Sequence, residues 1–486
     1  MHCHRFQSFR DLTRREWLQR TACGLGGIAL QSLLGAESAR ATAAPSAPGA
    51  GPLELPHFAP KAKRVLFLFM SGGFSQFESF VHKPVLRERM GQQLPESVLK
   101  GRTPLGMSKN QASFQMVGSP WPYTQHGKSG AWFTDRFMHL SQHADKICFL
   151  HGMVSDAVNH DPAMTFIHTG AQLPGRPSMG AWISYGLGSE NENLPAFIVL
   201  VTRKEVDQPL STRLWDSGFL PSQYQGTQFR AARDPVLFLS NPDGVPASLN
   251  RRMLDHLREV HEDELARRGE AEISARISQY EMAFRMQTSV PEVTNVGSEP
   301  PAILERYGEA VKNPGSYAYN CLLARRLVEQ GVRYVQLYQP GWDHHGNLPK
   351  LYESNANEVD QATAALLTDL DERGLLEDTL VVFGSEFGRT CYSQGTGPRD
   401  DRYGREHHRD AFTYWMAGAG VKPGMSYGQT DDFGFHVTDG RVHVNDFHAT
   451  LMHLLGVDHE RFTFRFQGRD YRLTDLAGKV VTPILA

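Results

Sequence analysis

Five apolar runs without polar alternation, spread along 486 residues, restrict this chain to few architectures. Val65 to Met70 ends in Ser71-Gly72-Gly73, and Lys146 to Leu150, Ala196 to Val201, Tyr334 to Leu337 and Leu380 to Phe383 follow. Such runs read as strands buried on both faces, as in a parallel sheet covered by helices. Tyr317 to Gln330 and Asn357 to Arg373 are amphipathic helices, each feeding the strand after it. The order predicts an α/β fold, a doubly wound and mostly parallel sheet with helices on both faces. Leu249 to about Met286 is charged and helical and reads as an insertion, about 249–290.

Three segments place metal-ligand side chains near the ends of the later strands. They are Trp342-Asp343-His344-His345-Gly346-Asn347, Ser385-Glu386-Phe387-Gly388-Arg389-Thr390 and Gly404-Arg405-Glu406-His407-His408, each read as following a strand. Ligands of open α/β sheets bind beyond the carboxyl ends of the strands, so acids and imidazoles gathered there can converge. Asp343, His345, Glu386 and His407 or His408 therefore form a candidate metal-dependent hydrolase site. His407 and His408 are adjacent, so at most one is expected to be a ligand and the other to support it or to lie at the surface. Asp or Glu with His suits Zn or Mn, and Ca less well, in one site or two.

The amino terminus constrains location. Thr13-Arg14-Arg15-Glu16-Trp17-Leu18 ahead of the weakly apolar stretch Thr21 to Leu34 resembles a twin-arginine export signal, with Ala41-Thr42-Ala43 as a small-residue cleavage site. Trp17 departs from the usual Phe. Arg20 stands where a lipoprotein signal before Cys23 needs Leu, which argues against a lipid anchor. The expected organisation is a signal over 1–43, a flexible Ala, Pro and Gly-rich linker over 44–62 and one domain over 63–486, exported folded to the periplasm or beyond. The apolar stretch is too short and Gly-rich to remain as a stable membrane span. With 50 basic and 53 acidic side chains there is no general attraction to nucleic acid. Cys148, Cys321 and Cys391 allow at most a single disulfide after cleavage. No nucleotide-binding Gly loop is present, which argues against an oxidoreductase with a nucleotide cofactor.

On further motifs the chain is identified as a member of a bacterial family of exported proteins of unknown function, related to sulfatases within the alkaline phosphatase superfamily. These motifs include Phe69-Met70-Ser71-Gly72-Gly73, His82-Lys83-Pro84, Asn159-His160, Thr169-Gly170, Ser178-Met179-Gly180-Ala181-Trp182 and His443-Val444-Asn445-Asp446-Phe447-His448. Phe383 to Gly388 resembles the sulfatase segment ending in Asp-His-Gly, with Glu386 replacing the Asp and Phe387 the His. Asp343 and His345-Gly346 resemble metal-binding residues of cofactor-independent phosphoglycerate mutases, and His407 or His408 their last histidine.

His160 to Thr169-Gly170 resembles the segment that carries the sulfatase nucleophile, and His160 stands at the nucleophile position. The resemblance leaves three roles for it: a metal ligand, a phosphohistidine-like intermediate, or a lost covalent step. The ligand role, with metal-activated water attacking, is the favoured one. Thr165 is a weaker nucleophile candidate, one turn into the helix. Glu78 is the nearest acid to the first strand, whose usual terminal Asp is replaced by Ser71-Gly72-Gly73. Arg389 and Arg405 either grip an oxyanion substrate or hold nearby acids. The implied function is an exported metal-dependent hydrolase of phosphate or sulfate esters acting on a small anionic ester or a glycan. The alternative is a divergent scaffold that binds a glycan, a cell-surface component or a partner protein.

Overall fold

The computed structural model describes residues 55–100, 106–203, 209–230, 235–236, 239–241, 244–394, 397 and 402–486. The expected export signal, and the expected linker up to residue 54, lie outside them. Residues 57–62 are tied to the domain body, because His57 and Phe58 donate to the Gly456 carbonyl and Lys61 and Ala62 to that of Leu454.

The main sheet and the ribbon beside it are built from β1 (Arg64–Met70), β2 (Ile147–Val154), β3 (Phe197–Val201), β4 (Thr227–Phe229), β5 (Tyr334–Gln339), β6 (Thr379–Gly384), β7 (Gly388–Gln394), β8 (Gly404–His408), β9 (Phe412–Ala417), β10 (Ser426–Tyr427) and β11 (Val442–His443). The main sheet runs β10-β2-β9-β6-β1-β5-β3-β4, and β11 also pairs with β2. Every pairing in it is parallel except those of β9, which lies antiparallel between β6 and β2. The expected mostly parallel α/β architecture is observed.

Both faces of the sheet are covered, which explains the uninterrupted apolar runs. Along β1, Leu66, Leu68 and Met70 enter one core cluster while Val65, Phe67 and Phe69 enter another, following the two-residue period of a strand. Burying each such side chain contributes roughly 1.5–3 kcal/mol. Helices α1 (His160–Thr169), α2 (Met179–Leu187) and α7 (Val444–Leu454) supply buried residues to the cluster that holds Phe67. Helices α5 (Tyr317–Glu329) and α6 (Leu348–Glu372) supply the other. Helix α6 starts earlier than the expected Asn357, because Pro349 sits in its first turn and Leu348 and Tyr352 are buried there.

The insertion is a pair of helices, α3 (Ala247–Arg268) and α4 (Ala271–Thr294). Gly269, at φ +65°, ends α3 in the left-handed conformation that reverses the chain. Arg251 grips Glu281 through two bonds of 2.8 and 2.7 Å, and His261 stacks on Tyr280. Cys148, Cys321 and Cys391 are each buried and unpaired on separate elements, so no disulfide joins them. Among the described residues, no helix is long and apolar enough to cross a membrane.

One expected arrangement is corrected. Gly404–His408 does not follow a strand but is one, paired antiparallel with β7 so that His407 lies opposite Arg389 and His408 opposite Gly388. This two-stranded ribbon follows β6 in the chain and brings His407 to the carboxyl edge of β1, β5 and β6.

Candidate metal centre

The loop after β5 carries Asp343 and His345, and neighbouring backbone grips it closely. Trp342 N–H donates to Ser71 O at 3.2 Å, and Arg405 N–H to His344 O at 3.1 Å. Gly72 has φ +119°, and a Cβ there would lie 2.6 Å from Asp343 N. A Cβ on Gly404 would collide with the His345 carbonyl carbon. Glycine is required at both contacts, one for its backbone conformation and both for space. The backbone bearing Asp343 thus lies directly against the turn that follows β1.

Four side chains converge here. His160, Asp343, His345 and His407 each offer a ligand atom, and these atoms lie within 4.8 Å of one another; among the described residues this is the one such group. His345 Nε2 is 2.8 Å and His407 Nε2 3.3 Å from Asp343 Oδ1. His160 Nε2 lies 3.2 Å from Asp343 Oδ2, but in a geometry that makes no proper hydrogen bond.

Each imidazole is oriented from behind. His160 Nδ1–H donates to Glu386 Oε1 at 2.6 Å, His407 Nδ1–H to Val158 O at 2.8 Å, and His345 Nδ1–H to Gln394 Oε1. These acceptors commit each Nδ1–H to donation and turn each Nε2 inward, the usual arrangement behind metal-ligating histidines. His345 Nε2 and His407 Nε2 are 3.0 Å apart. Two lone pairs facing at that separation repel, and a proton or a cation relieves them. The set therefore fits a divalent ion through three nitrogens and one carboxylate. It suits Zn or Mn better than Ca, which takes six to eight oxygens. The Asp343 and His345 side chains remain 27% and 22% exposed, so the cluster is open to solvent on one side. An open side suits a catalytic centre rather than a closed structural one.

The other sequence candidates lie around this group and not in it. Glu386 is fully buried; besides holding His160 it accepts from Gly72 N–H at 2.9 Å and from Ser385 Oγ at 2.9 Å. It lies outside the group of four, behind His160. Glu78, expected as a ligand, is buried and paired with Arg405, whose Nη2 reaches Glu78 Oε1 at 2.6 Å and whose Nε stands 3.0 and 3.1 Å from the two oxygens. His408 faces away from His407, as neighbours on a strand do, and its Nε2 bonds Phe435 O at 2.7 Å. Thr165 is buried and donates its hydroxyl to Asp161 O at 2.7 Å, so it is engaged by the helix backbone.

Arg389 and Arg405 do not reach out for an anion. Arg389 is buried and bonds Gly73 O at 2.7 Å, Arg405 O at 2.9 Å, the Gly72 carbonyl and Asp343 Oδ1 at 2.7 Å. It ties together the loops that carry the ligands. Phe387, standing at the histidine position of the resembled sulfatase segment, packs on His407 and His160 with ring centroids 4.4 and 5.1 Å away. Gln394 and the Val158 carbonyl escaped sequence reading, because only the folded chain brings them to His345 and His407.

The electrostatics are uneven. Burial penalises charge on His160, but Asp343 and Glu386 at its two nitrogens outweigh it and raise its pKa to about 9. Burial, with Arg389 and the other two imidazoles adding to it, pushes His407 down to about 3. Burial also works against the Asp343 carboxylate, yet the three histidines and Arg389 hold it well below the usual range. For the metal-free chain the signs follow. His160, raised above its unfolded value of 6.5, stabilises fully below pH 6.5 and loses that contribution as pH rises towards 9. His407, depressed, stabilises above 6.5 and loses its contribution as pH falls towards 3. Urea unfolding of EDTA-treated protein is expected to find maximal stability near pH 6.5, with a loss on the order of 3 kcal/mol towards pH 9 from His160. A flat profile from 6.5 to 9 would show that His160 is not held between the two carboxylates.

A profile described as "Protein of unknown function (DUF1501)" matches residues 62–485. The chain belongs to the DUF1501 family. No curated protein matches its sequence. The DUF1501 chain has distant similarity to several solved structures. The lipoteichoic acid synthase LtaP from Listeria monocytogenes is 9% identical, with TM-score 0.37 over 87% of this chain and 77% of that one. The PsFucS1 sulfatase from Pseudoalteromonas sp. is 13% identical, with TM-score 0.34 over 86% and 72%. The periplasmic domain of EcEptC from Escherichia coli, solved in complex with Zn, is 10% identical, with TM-score 0.33 over 86% and 88%.

Proposed function

We propose that this chain is a metal-dependent hydrolase of phosphate or sulfate esters, exported in the folded state by the twin-arginine route. One observation carries the reading: three imidazoles, each fixed through Nδ1, direct Nε2 at a single carboxylate on a solvent-open edge of the sheet. That is a binding site prepared for one divalent ion, which when bound supplies positive charge to polarise an ester oxygen and to acidify water. His160 serves as a ligand, since one nitrogen is committed to Glu386 and the other faces Asp343. Arg389 keeps Asp343 ionised and in place. Arg389 and Arg405 are fully engaged with protein groups, so charge on the substrate oxyanion falls to the bound ion.

The test compares metal-loaded with EDTA-treated protein on 4-nitrophenyl phosphate, 4-nitrophenyl sulfate and bis(4-nitrophenyl) phosphate, alongside elemental analysis. One ester class is expected to be hydrolysed by the loaded protein alone and restored by Zn or Mn. Protein exported by its own signal and lacking stoichiometric metal would overturn the reading. For export, replacing Arg14 and Arg15 together by Lys is expected to retain the chain in the cytoplasmic fraction; unchanged fractionation would refute that route.

A further inference from the structure

The insertion presents a helix with an exposed apolar stripe. Helix α4 is seated on the domain body: Met286, Val290 and Val293 join the core cluster that contains Leu66, Ser289 Oγ donates to Asn193 O at 2.6 Å, and the Tyr319 hydroxyl donates to Thr294 O at 3.0 Å. Helix α3 rests on α4 and buries none of its 22 residues. Arg251 and Arg258 reach Glu281, His261 stacks on Tyr280, and the Arg251 guanidinium lies 4.9 Å from the Phe284 ring centroid. By helical spacing the half-buried Leu254 and Leu265 lie on this inner side as well.

A second set of apolar residues runs along the outer side of α3. Leu249, Met253, Leu257 and Val260 recur at intervals of four, four and three, and at 3.6 residues per turn they fall within about 80° of one another. They are 36, 52, 41 and 60% exposed on a helix otherwise rich in charge. The outer side of a surface helix is ordinarily polar. Apolar side chains aligned there over about three turns mark an interaction surface.

The charges beside the stripe select its occupant. One flank carries Arg252, His256, Glu259 and Asp263 in turn, positive towards the amino end and negative towards the carboxyl end. Arg252 is exposed and, among the described residues, makes no ion pair. Glu259 stands 3.4 Å from His256, both largely exposed, and Asp263 pairs with Arg267 at 3.0 Å. Two copies of α3 laid antiparallel about a twofold axis match these halves. With the axis crossing between Asp255 and His256, Arg252 of each copy is level with Glu259 of the other, and each Met253 and Leu257 meets the other stripe. A parallel pairing would set Arg252 against Arg252 and Glu259 against Glu259. An anionic membrane surface would face the acids Glu259 and Asp263, which it repels.

We propose that two copies of this chain associate through antiparallel α3 helices, which bury Leu249, Met253, Leu257 and Val260 between them. Such a contact is isologous, so each copy supplies one Arg252 and one Glu259 and two equivalent ion pairs form. A helix of this length spans about 33 Å, and a contact confined to it is at the small end of specific interfaces. The dimer is therefore reversible and not obligate. The pairing uses no residue of the metal centre and stands whether or not the chain is a hydrolase.

Sedimentation velocity of the purified protein, from about 1 to 200 µM, reads the equilibrium, and a dissociation constant in the micromolar range is expected. Met253→Glu together with Val260→Glu should weaken association about a hundredfold or more. Arg252→Glu and Glu259→Arg should each weaken it about tenfold, and the two together should return it to within about threefold of wild type, because the exchanged charges pair again. All four positions are exposed, so circular dichroism and metal content should be unchanged in every variant. A monomer at every concentration would overturn the proposal, as would a dimer untouched by the Met253 and Val260 changes. A charge exchange that fails to restore association would overturn the antiparallel pairing. A monomer that floats with vesicles of phosphatidylglycerol and phosphatidylcholine would also overturn it, and would give the stripe to a membrane surface.

Discussion

Asp343→Ala is expected to abolish stoichiometric metal binding and to lower ester hydrolysis by about a thousandfold or more. The reason is its central position. Its two oxygens are the only carboxylate atoms in the convergent group, and all three imidazoles approach one or the other. Without the carboxylate, a divalent ion would face three neutral nitrogens beside the buried Arg389 guanidinium, whose charge then repels it. Loss of the ion removes several kcal/mol of charge stabilisation from the barrier, and each 1.36 kcal/mol is a tenfold change in rate. The fold is expected to persist, because Arg389 keeps its carbonyl partners at Gly73 and Arg405. Elemental analysis and circular dichroism of the purified variant check both halves; a folded variant with full metal content would refute the site.

Glu78→Ala should act in the opposite manner, costing stability and sparing the metal. Glu78 and Arg405 are both wholly buried and joined by charge-assisted bonds, and the Arg405 guanidinium also lies 5.0 Å from the Phe77 ring centroid. Removing one member of a buried pair leaves the other charged and desolvated, at about 3–5 kcal/mol. Urea denaturation reads that loss directly. Metal content per folded molecule should stay at the wild-type value. The reverse result, lost metal at unchanged stability, would return Glu78 to the ligand set proposed from the sequence. Arg405→Ala should destabilise comparably, and the double variant less than the sum of the two, since each single change already breaks the same pair.

How far the site can be read from sequence depends on the range of the interaction concerned. Asp343 and His345 were legible because ligand chemistry belongs to the side chain itself and because sheet ligands gather at strand ends; His160, at a helix start, was reached only through the resemblance, and His407 lies within a strand and not after one. Their neighbours were harder. Whether Arg389 grips a substrate or ties loops together depends on the carbonyls of Gly72 and Gly73, more than three hundred residues away in the chain. Glu386 and His160 meet across 226 residues. His407 and His408 are alike in composition and spacing; only the pairing of β8 with β7 turns one ring towards Asp343 and the other towards Phe435.

The same division holds for the whole fold. The sequence by itself determined the buried parallel strands and the amphipathic helices, because a strand covered on both faces must be apolar at every position and a surface helix must alternate with its 3.6-residue period. It also determined the types of ligand available to a metal. The tertiary structure alone decided the antiparallel place of β9, the hairpin of the insertion and the pairing of buried charges. Each of these depends on which distant groups meet in a medium that tolerates no unpaired charge, and local sequence does not specify that.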